Sequence, residues 1–257
     1  MLKKVDGIVL KSIDYGETDK IVTLYTTSYG KMAVLAKGAK KGTSRFSAVT
    51  QPFVYGSFLF FQGRGMPSLS QGDVLQSFKT IHMDMTKAAY AAYMVELVDK
   101  LTEARRIYLH VFDWLIVALK QLETGYDGEV IARIVDLKML TVAGAKPVLD
   151  YCAVCRSDTH DPTVFSITQA GFLCVTCAYR DQHAYPISIT FAQLLRTLYY
   201  VDLNKIGTIS ISASTKKRLR TMLHMYYDEY VGIHLKTRGF ITQLERYDPR
   251  LFTLDND

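Results

Sequence analysis

The first eighty residues alternate. Short apolar runs rich in β-branched and aromatic residues are divided by glycines and polar turns: VDGIVLKSIDY, KIVTLYTTSYG, KMAVLAKG, FVYGSFLFFQG and the region around VLQSF. Runs of this length and composition predict strands, and about five of them in some 80 residues fit a small barrel or sandwich. In the fourth run, alternation sends Phe53, Tyr55 and Phe61 to one face and Phe58 and Phe60 to the other, so one of the two sets is core.

Past residue 80 the apolar period lengthens from two to about 3.6. In TKAAYAAYMVELVDKLTEAR, positions 91, 94, 95, 98 and 101 share a helical face; in YLHVFDWLIVALKQLETG, positions 109, 112, 115, 116, 119 and 122 do. EVIARIVDLKMLTVAG predicts a third helix that stops near Gly144, with Pro147 beyond. The three read as an antiparallel bundle with short connections. After a cysteine-bearing segment the helical period returns in TFAQLLRTLYYV and in STKKRLRTMLHMYYDEYVGIHL, whose stripe is 219, 222, 223, 226 and 230. The fold class expected is α+β and multidomain: a β module over 1–80, then a helical domain over 81–257 with a cysteine element inserted at about 148–186.

With 49% hydrophobic residues the chain can bury sizeable cores. No uncharged apolar run reaches the ~18–20 residues of a membrane span. VFDWLIVAL, the longest candidate, is broken by Asp113, and Asp6 and Lys11 interrupt any leader-like block at the N-terminus. The expected setting is the cytoplasm, where thiols stay reduced.

Charge changes the picture more. The net charge is +6, and the first 80 residues hold eleven Lys and Arg against five acidic residues, while the remainder balances. Such asymmetry points to a polyanionic partner met by the β module. The densest stretch is AKGAKKGTSRF at 36–46, where Lys37, Lys40, Lys41 and Arg45 lie among glycines without an acid. It reads either as a solvated hairpin or as a phosphate-tracking loop beside a barrel groove, with bases stacked on aromatics. The charge bias favours the second reading, with Lys11, Lys20 and Arg64 as further candidates. No recognition-helix motif accompanies the loop, so sequence-specific readout is not expected.

The four cysteines fall as Cys152, Cys155, Cys174 and Cys177, a C-x2-C-x18-C-x2-C spacing. Two such knuckles supply a tetrahedral sulfur cage, and a structural zinc ion, one per chain, is the expectation. Two disulfides fit a reducing compartment poorly, and an isolated redox pair does not need the doubling. His160 and His183 lie near enough to replace a cysteine, although the sulfur set is complete. Four thiolates leave no open position for water or substrate.

No catalytic pattern stands out. GAKKGTS lacks the spacing and the Lys of a nucleotide-triphosphate loop, and GRGMPS lacks the third glycine of a dinucleotide fingerprint. His224 and His234, ten residues apart on an expected helix, do not share a face. The chain reads as a non-enzyme.

GIVLKSIDYGETDKIVTLYTTSYGKMAVLAKGAKKGTSRFSAVTQPF resembles the N-terminal module of the bacterial RecO family, notably in YGETDKI, the LAKGAKK run and the SRF…QPF pair. VDLKMLTVAGAKPVLDYCAVC is similar to the helix leading into that family's zinc knuckle, and HLKTRGFI to its C-terminal signature. The likeness runs from about Gly7 to Ile241. At 143–146 the chain has AGAK, where an aromatic after the glycine is more typical. The resemblance implies an OB-fold barrel followed by a helical domain with a four-cysteine zinc element. It also implies a recombination mediator that binds single- and double-stranded DNA and anneals complementary strands, including strands coated by single-strand-binding protein (SSB). With RecR, such proteins help RecA replace SSB; RecF's participation stays open. SSB ends in an acidic, apolar tail, and KKRLR at 216–220 offers a cationic rim for it in Lys217, Arg218 and Arg220. No membrane partner is implied, and the protein would work in the cytoplasm at the nucleoid. The alternative is an RNA-binding accessory protein of translation or RNA maturation, since barrels with zinc ribbons recur there.

Overall fold

The computed structural model describes residues 1–158, 161–207 and 209–247. The chain folds as two compact units, one holding residues 1–128 together with the segment that begins at Leu235, the other Glu129–His234.

In the first unit, β1 (Leu2–Tyr15), β2 (Asp19–Thr26), β3 (Gly30–Ala36), β4 (Tyr55–Phe61) and β5 (Ser68–Gln76) close a barrel in the order β1-β2-β3-β5-β4, with β4 returning to β1. All pairings are antiparallel except the short parallel contact of Leu35 with Ser68, which completes the ring. β1 is long enough to serve two neighbours, and a register shift between Val9 and Lys11 bends it to do so. Alternation fills the interior: Val22, Leu24, Val34, Phe58 and Phe60 are buried. The order is that of the expected OB-type Greek-key barrel.

The basic stretch after β3 is not a free hairpin. Ala39, Phe46 and Val49 belong to the barrel core, so residues 37–54 are fastened over it. Val49 occupies room left by two glycines: a Cβ at Gly72 would lie 2.7 Å from Val49 Cγ1. Burial of Phe46 and of Val49 contributes roughly 2 kcal/mol each.

Around the barrel lie α1 (Lys79–Met83), α2 (Met85–Leu101), α3 (Val111–Glu123) and, from the far end of the chain, α7 (Lys236–Tyr247). The Asp84 side chain caps α2 by accepting from the Thr86 and Lys87 N–H groups. α2 packs against β1, α3 and α7, which is why Tyr90, Tyr93 and Leu97 are buried as well as the expected 91, 94, 95 and 98. The Glu96 carboxylate of α2 accepts from the Lys236 and Thr237 N–H groups and from the Thr237 hydroxyl, capping α7.

The second unit holds α4 (Gly128–Val142), a small sheet of order β7-β6-β8 (β6 Val164–Ser166, β7 Gly171–Leu173, β8 Tyr185–Pro186), α5 (Ile189–Tyr200) and α6 (Ala213–Tyr230). α4 ends at Gly144 with φ 72°, the left-handed stop its sequence predicts. It groups with α5 and α6, not with α2 and α3 as the bundle reading expects. Beside the apolar burial of α4, polar contacts join it to α6. Arg220 lies 3.4 Å from Glu129, Arg133 Nη1 lies 3.2 Å from His224 Nε2, and the Tyr227 hydroxyl donates to the Asp136 carbonyl at 2.8 Å. Arg133 and Asp136, themselves 3.1 Å apart, are closed off from solvent. Among the described residues, no helix is long and apolar enough to cross a membrane.

Candidate nucleic-acid interface and metal centre

The metal centre is assembled by two knuckles. In the first, the Cys152 N–H donates to the Ser157 carbonyl at 2.8 Å and the Arg156 N–H to the Cys152 carbonyl at 3.0 Å, with Arg156 in the left-handed region at φ 63°. In the second, which follows β7 directly, the Cys177 and Ala178 N–H groups both donate to the Cys174 carbonyl at 3.0 Å. Cys152 and Cys177 are buried, Cys174 half-buried and Cys155 exposed, and none is in a disulfide.

All four sulfurs lie within 4.8 Å of one another, and Cys155 Sγ stands 3.8 Å from Cys174 Sγ. A tetrahedral thiolate cage with bonds of about 2.3 Å has edges of about 3.8 Å, so the donor set fits a metal ion. Hydroxyls favour the thiolate form at the outer pair. Ser157 lowers Cys155, and Thr176 brings Cys174 down to about 6. Among the described residues, Leu173, Val164, Ala153 and Val154 pack with the cysteines, a small cluster to which a bound metal would add. Among the described residues the group is all sulfur; His183 stands outside it, and His160 lies outside the described residues.

The second site lies on the barrel. Lys37, Lys41 and Arg45, all exposed, line a groove of about 480 Å³ whose opposite wall is Phe61 at the end of β4 and Ser68 and Ser70 at the start of β5. Phe58 and Phe60 are core, as the alternation predicts for one of the two faces, while Phe61 is 53% exposed. Tyr55, from the same face as Phe61, packs edge-on against Phe112 with centroids 6.0 Å apart. The groove therefore combines cations, one exposed ring and hydroxyls, a set suited to phosphates and unstacked bases.

Local bonds hold the cationic side in place. Gly38, at φ 67°, donates its N–H to Asp19 Oδ1 at 2.8 Å, and Thr18 donates its hydroxyl to the same oxygen at 3.0 Å. These bonds, with Lys37 and Lys41 nearby, hold the Asp19 carboxyl below its ordinary range. The Arg45 guanidinium rests 4.8 Å from the centre of the Phe46 ring, which steadies it at the mouth.

The other basic candidates are placed differently. Lys40 points to Asp14, 3.2 Å away. Lys11 is 2.8 Å from Asp99 of α2, a carboxylate that Lys31 also approaches at 3.2 Å. Lys20 sits within β2, paired between Asp14 and Ala36, and Arg64 is exposed in the connection from β4 to β5. In the second unit, Arg220 turns in to Glu129, and Arg218 donates to the Pro186 carbonyl at 2.6 Å while its guanidinium lies over Tyr185 and Phe191. Lys217 is exposed, so the three do not present one rim. What sequence reasoning missed is the wall formed by Ser68 and Ser70; the run SLSQGD has too few apolar residues to announce the first half of β5.

Two family models account for nearly all of the chain. Residues 1–78 match "Recombination protein O N terminal" and residues 82–239 match "Recombination protein O C terminal". Proteins named DNA repair protein RecO are similar over almost their whole length. That of Shouchella clausii is 64% identical over 246 residues, covering 96% of both chains. Those of Halalkalibacterium halodurans and Bacillus subtilis are 47% and 46% identical, each covering 95% of this chain and 96% of the relative.

Proposed function

Because this chain belongs to the RecO family, we propose that it is a non-enzymatic mediator of DNA repair and recombination that binds single- and double-stranded DNA and anneals complementary strands. In this reading it also anneals strands coated by SSB, and with RecR it helps RecA take SSB's place in the cytoplasm, at the nucleoid. The observation that carries the reading is the groove of Lys37, Lys41, Arg45 and Phe61.

Two DNA strands repel each other through their phosphates, and cations fixed on a rigid barrel offset that repulsion without reading sequence. Lys37, Lys41 and Arg45 neutralise backbone phosphates, Lys40 joins them by exchanging Asp14 for a phosphate, and Phe61 gives an unstacked base a platform. Arg64 lies on the connection beyond Phe61 and extends the basic track; Lys20 flanks it, and Lys11 contributes only field, since Asp99 holds it. The four-cysteine cage takes one zinc ion, whose role is to hold its element folded. For the acidic, apolar SSB tail, the proposed contacts are Lys217 and Arg218, with Arg220 engaged by Glu129.

The test is the salt dependence of single-strand binding after Lys37, Lys40, Lys41 and Arg45 are replaced together by alanine. Loss of four phosphate contacts makes the slope of log affinity against log salt shallower by about 3, at roughly 0.7 per contact. An unchanged slope removes the loop from the interface.

A further inference from the structure

At one mouth of the barrel lies a second cavity, of about 410 Å³, lined by Lys3 of β1, Tyr29, Met32 of β3, Phe60 and Gln62 at the end of β4, and Arg105 from the connection between α2 and α3. Its chemistry is mixed in a particular way. Phe60 and Met32 form an apolar floor, Tyr29 meets the Phe60 ring edge-on at 6.0 Å, and Lys3 Nζ stands 4.9 Å from the Tyr29 centroid. Two cations and no acid line the cavity, so an anion with an apolar, planar part suits it.

The way Arg105 arrives there is strained. Its φ is 61°, in the left-handed region that non-glycine residues avoid. The strain is held by its N–H, which donates to the Lys31 carbonyl at 2.8 Å, and by the bridge of Lys31 with Ala104. Gly30 makes the close approach possible, since a Cβ there would fall 2.0 Å from the Arg106 carbonyl oxygen. The neighbouring Arg106 is paired with Glu103 at 2.8 Å and lies over Tyr108, whereas Arg105 is delivered to the cavity. Mere docking of this connection on β3 needs the backbone contacts but not a second cation over the mouth. The left-handed backbone at Arg105 thus holds a second cation at the cavity.

The position of the cavity identifies what enters it. Phe60 floors the mouth, and Phe61, the next residue of β4, walls the basic groove. The two sites are thus separated by the end of one strand, with the exposed Arg64 just beyond.

We propose that the barrel mouth is a second single-strand subsite: a DNA strand leaving the basic groove crosses the end of β4 and places one nucleotide there, its base against Tyr29 and Met32 and its phosphate between Lys3 and Arg105. The proposal rests on the groove reading and extends it, making the bound segment longer than the groove alone accommodates. A strand held on both sides of β4 is bent over the barrel end, which exposes its bases to an incoming complement.

Length dependence tests this. Barrels of this class cover about 4–16 nucleotides, so oligothymidylates of roughly 4 and 16 residues separate the groove from the extended path. With Lys3→Ala and Arg105→Ala combined, the short oligonucleotide binds as before. The long one loses about tenfold in affinity, and its salt slope becomes shallower by about 0.7, one phosphate's worth. Arg105→Lys restores most of the loss, and a long oligonucleotide carrying 5-iodouracil photocross-links to the peptide containing Tyr29. Equal losses at both lengths, or no loss at the longer one together with no cross-link at Tyr29, overturn the subsite while leaving the groove. If instead the Lys37, Lys41 and Arg45 alanine variant binds both lengths like the parent, the groove reading falls and the subsite with it.

Discussion

The Thr237 hydroxyl donates to Glu96 Oε2 at 2.7 Å, joining residues 141 apart in sequence. With the Lys236 and Thr237 N–H groups on the same carboxylate, α2 supplies the cap that α7 lacks in its own sequence. Burial raises the Glu96 carboxyl, and these bonds more than offset it, leaving it below its ordinary value. The group therefore contributes stability that is present above the unfolded pKa of about 4.5 and is lost as pH falls through the lower folded value. Glu96→Ala should cost about 1–2 kcal/mol at neutral pH. Urea unfolding of the full chain at a series of pH values should show that difference shrinking as the pH falls below about 4.5.

Phe46 links packing to the proposed interface, because its ring is core while the residue before it is a groove cation. Phe46→Ala should destabilise the barrel by about 3–5 kcal/mol. It should also weaken single-strand binding several-fold although no charge has changed, because Lys41 and Arg45 lose their fixed positions. Titration of a fluorescent oligonucleotide at a temperature where the variant is folded checks this; parental affinity would mean that the cations act without being positioned.

The Arg133–Asp136 pair should behave as buried ion pairs do when only one partner is removed. Asp136→Ala removes the carboxylate 3.1 Å from the enclosed Arg133 guanidinium and should cost about 3–5 kcal/mol. Replacing both by Met and Leu should cost clearly less than the sum of the single changes. Equilibrium denaturation of the single and double variants gives the coupling directly.

At the metal centre, Cys174→Ser should abolish stoichiometric metal in the purified protein and lower the melting midpoint. Prolonged chelation of the parent should have the same effect, and zinc should reverse it. Elemental analysis beside a thermal melt reads both. A metal-free protein with the parental midpoint would show that the small core under the cysteines suffices.

Much of this could be read along the chain. Alternation located the strands and separated Phe58 and Phe60 from Phe61, and cysteine spacing located the cage, because both signals are local. The basic loop was visible as charge, but its fastening was not: Phe46 sits in a stretch that reads as solvated, and the space Val49 fills is made by Gly56 and Gly72 on other strands. Lys11 looked like Lys37 in sequence, and only the Asp99 carboxylate, 88 residues away, distinguishes them. α4 had the same periodicity as α2 and α3, yet its buried Glu129, Arg133 and Asp136 match α6, a pairing that periodicity does not encode. The barrel mouth draws Lys3, Tyr29 and Arg105 from three distant segments and leaves no mark on any one of them.

The most direct test of the central claim is annealing of two complementary oligonucleotides, each coated beforehand with its cognate SSB, followed by fluorescence with and without this protein. The account predicts faster annealing with the protein, and loss of that acceleration when Lys37, Lys40, Lys41 and Arg45 are replaced together by alanine. Tight binding to naked strands with no acceleration, or acceleration that survives the four replacements, would contradict it.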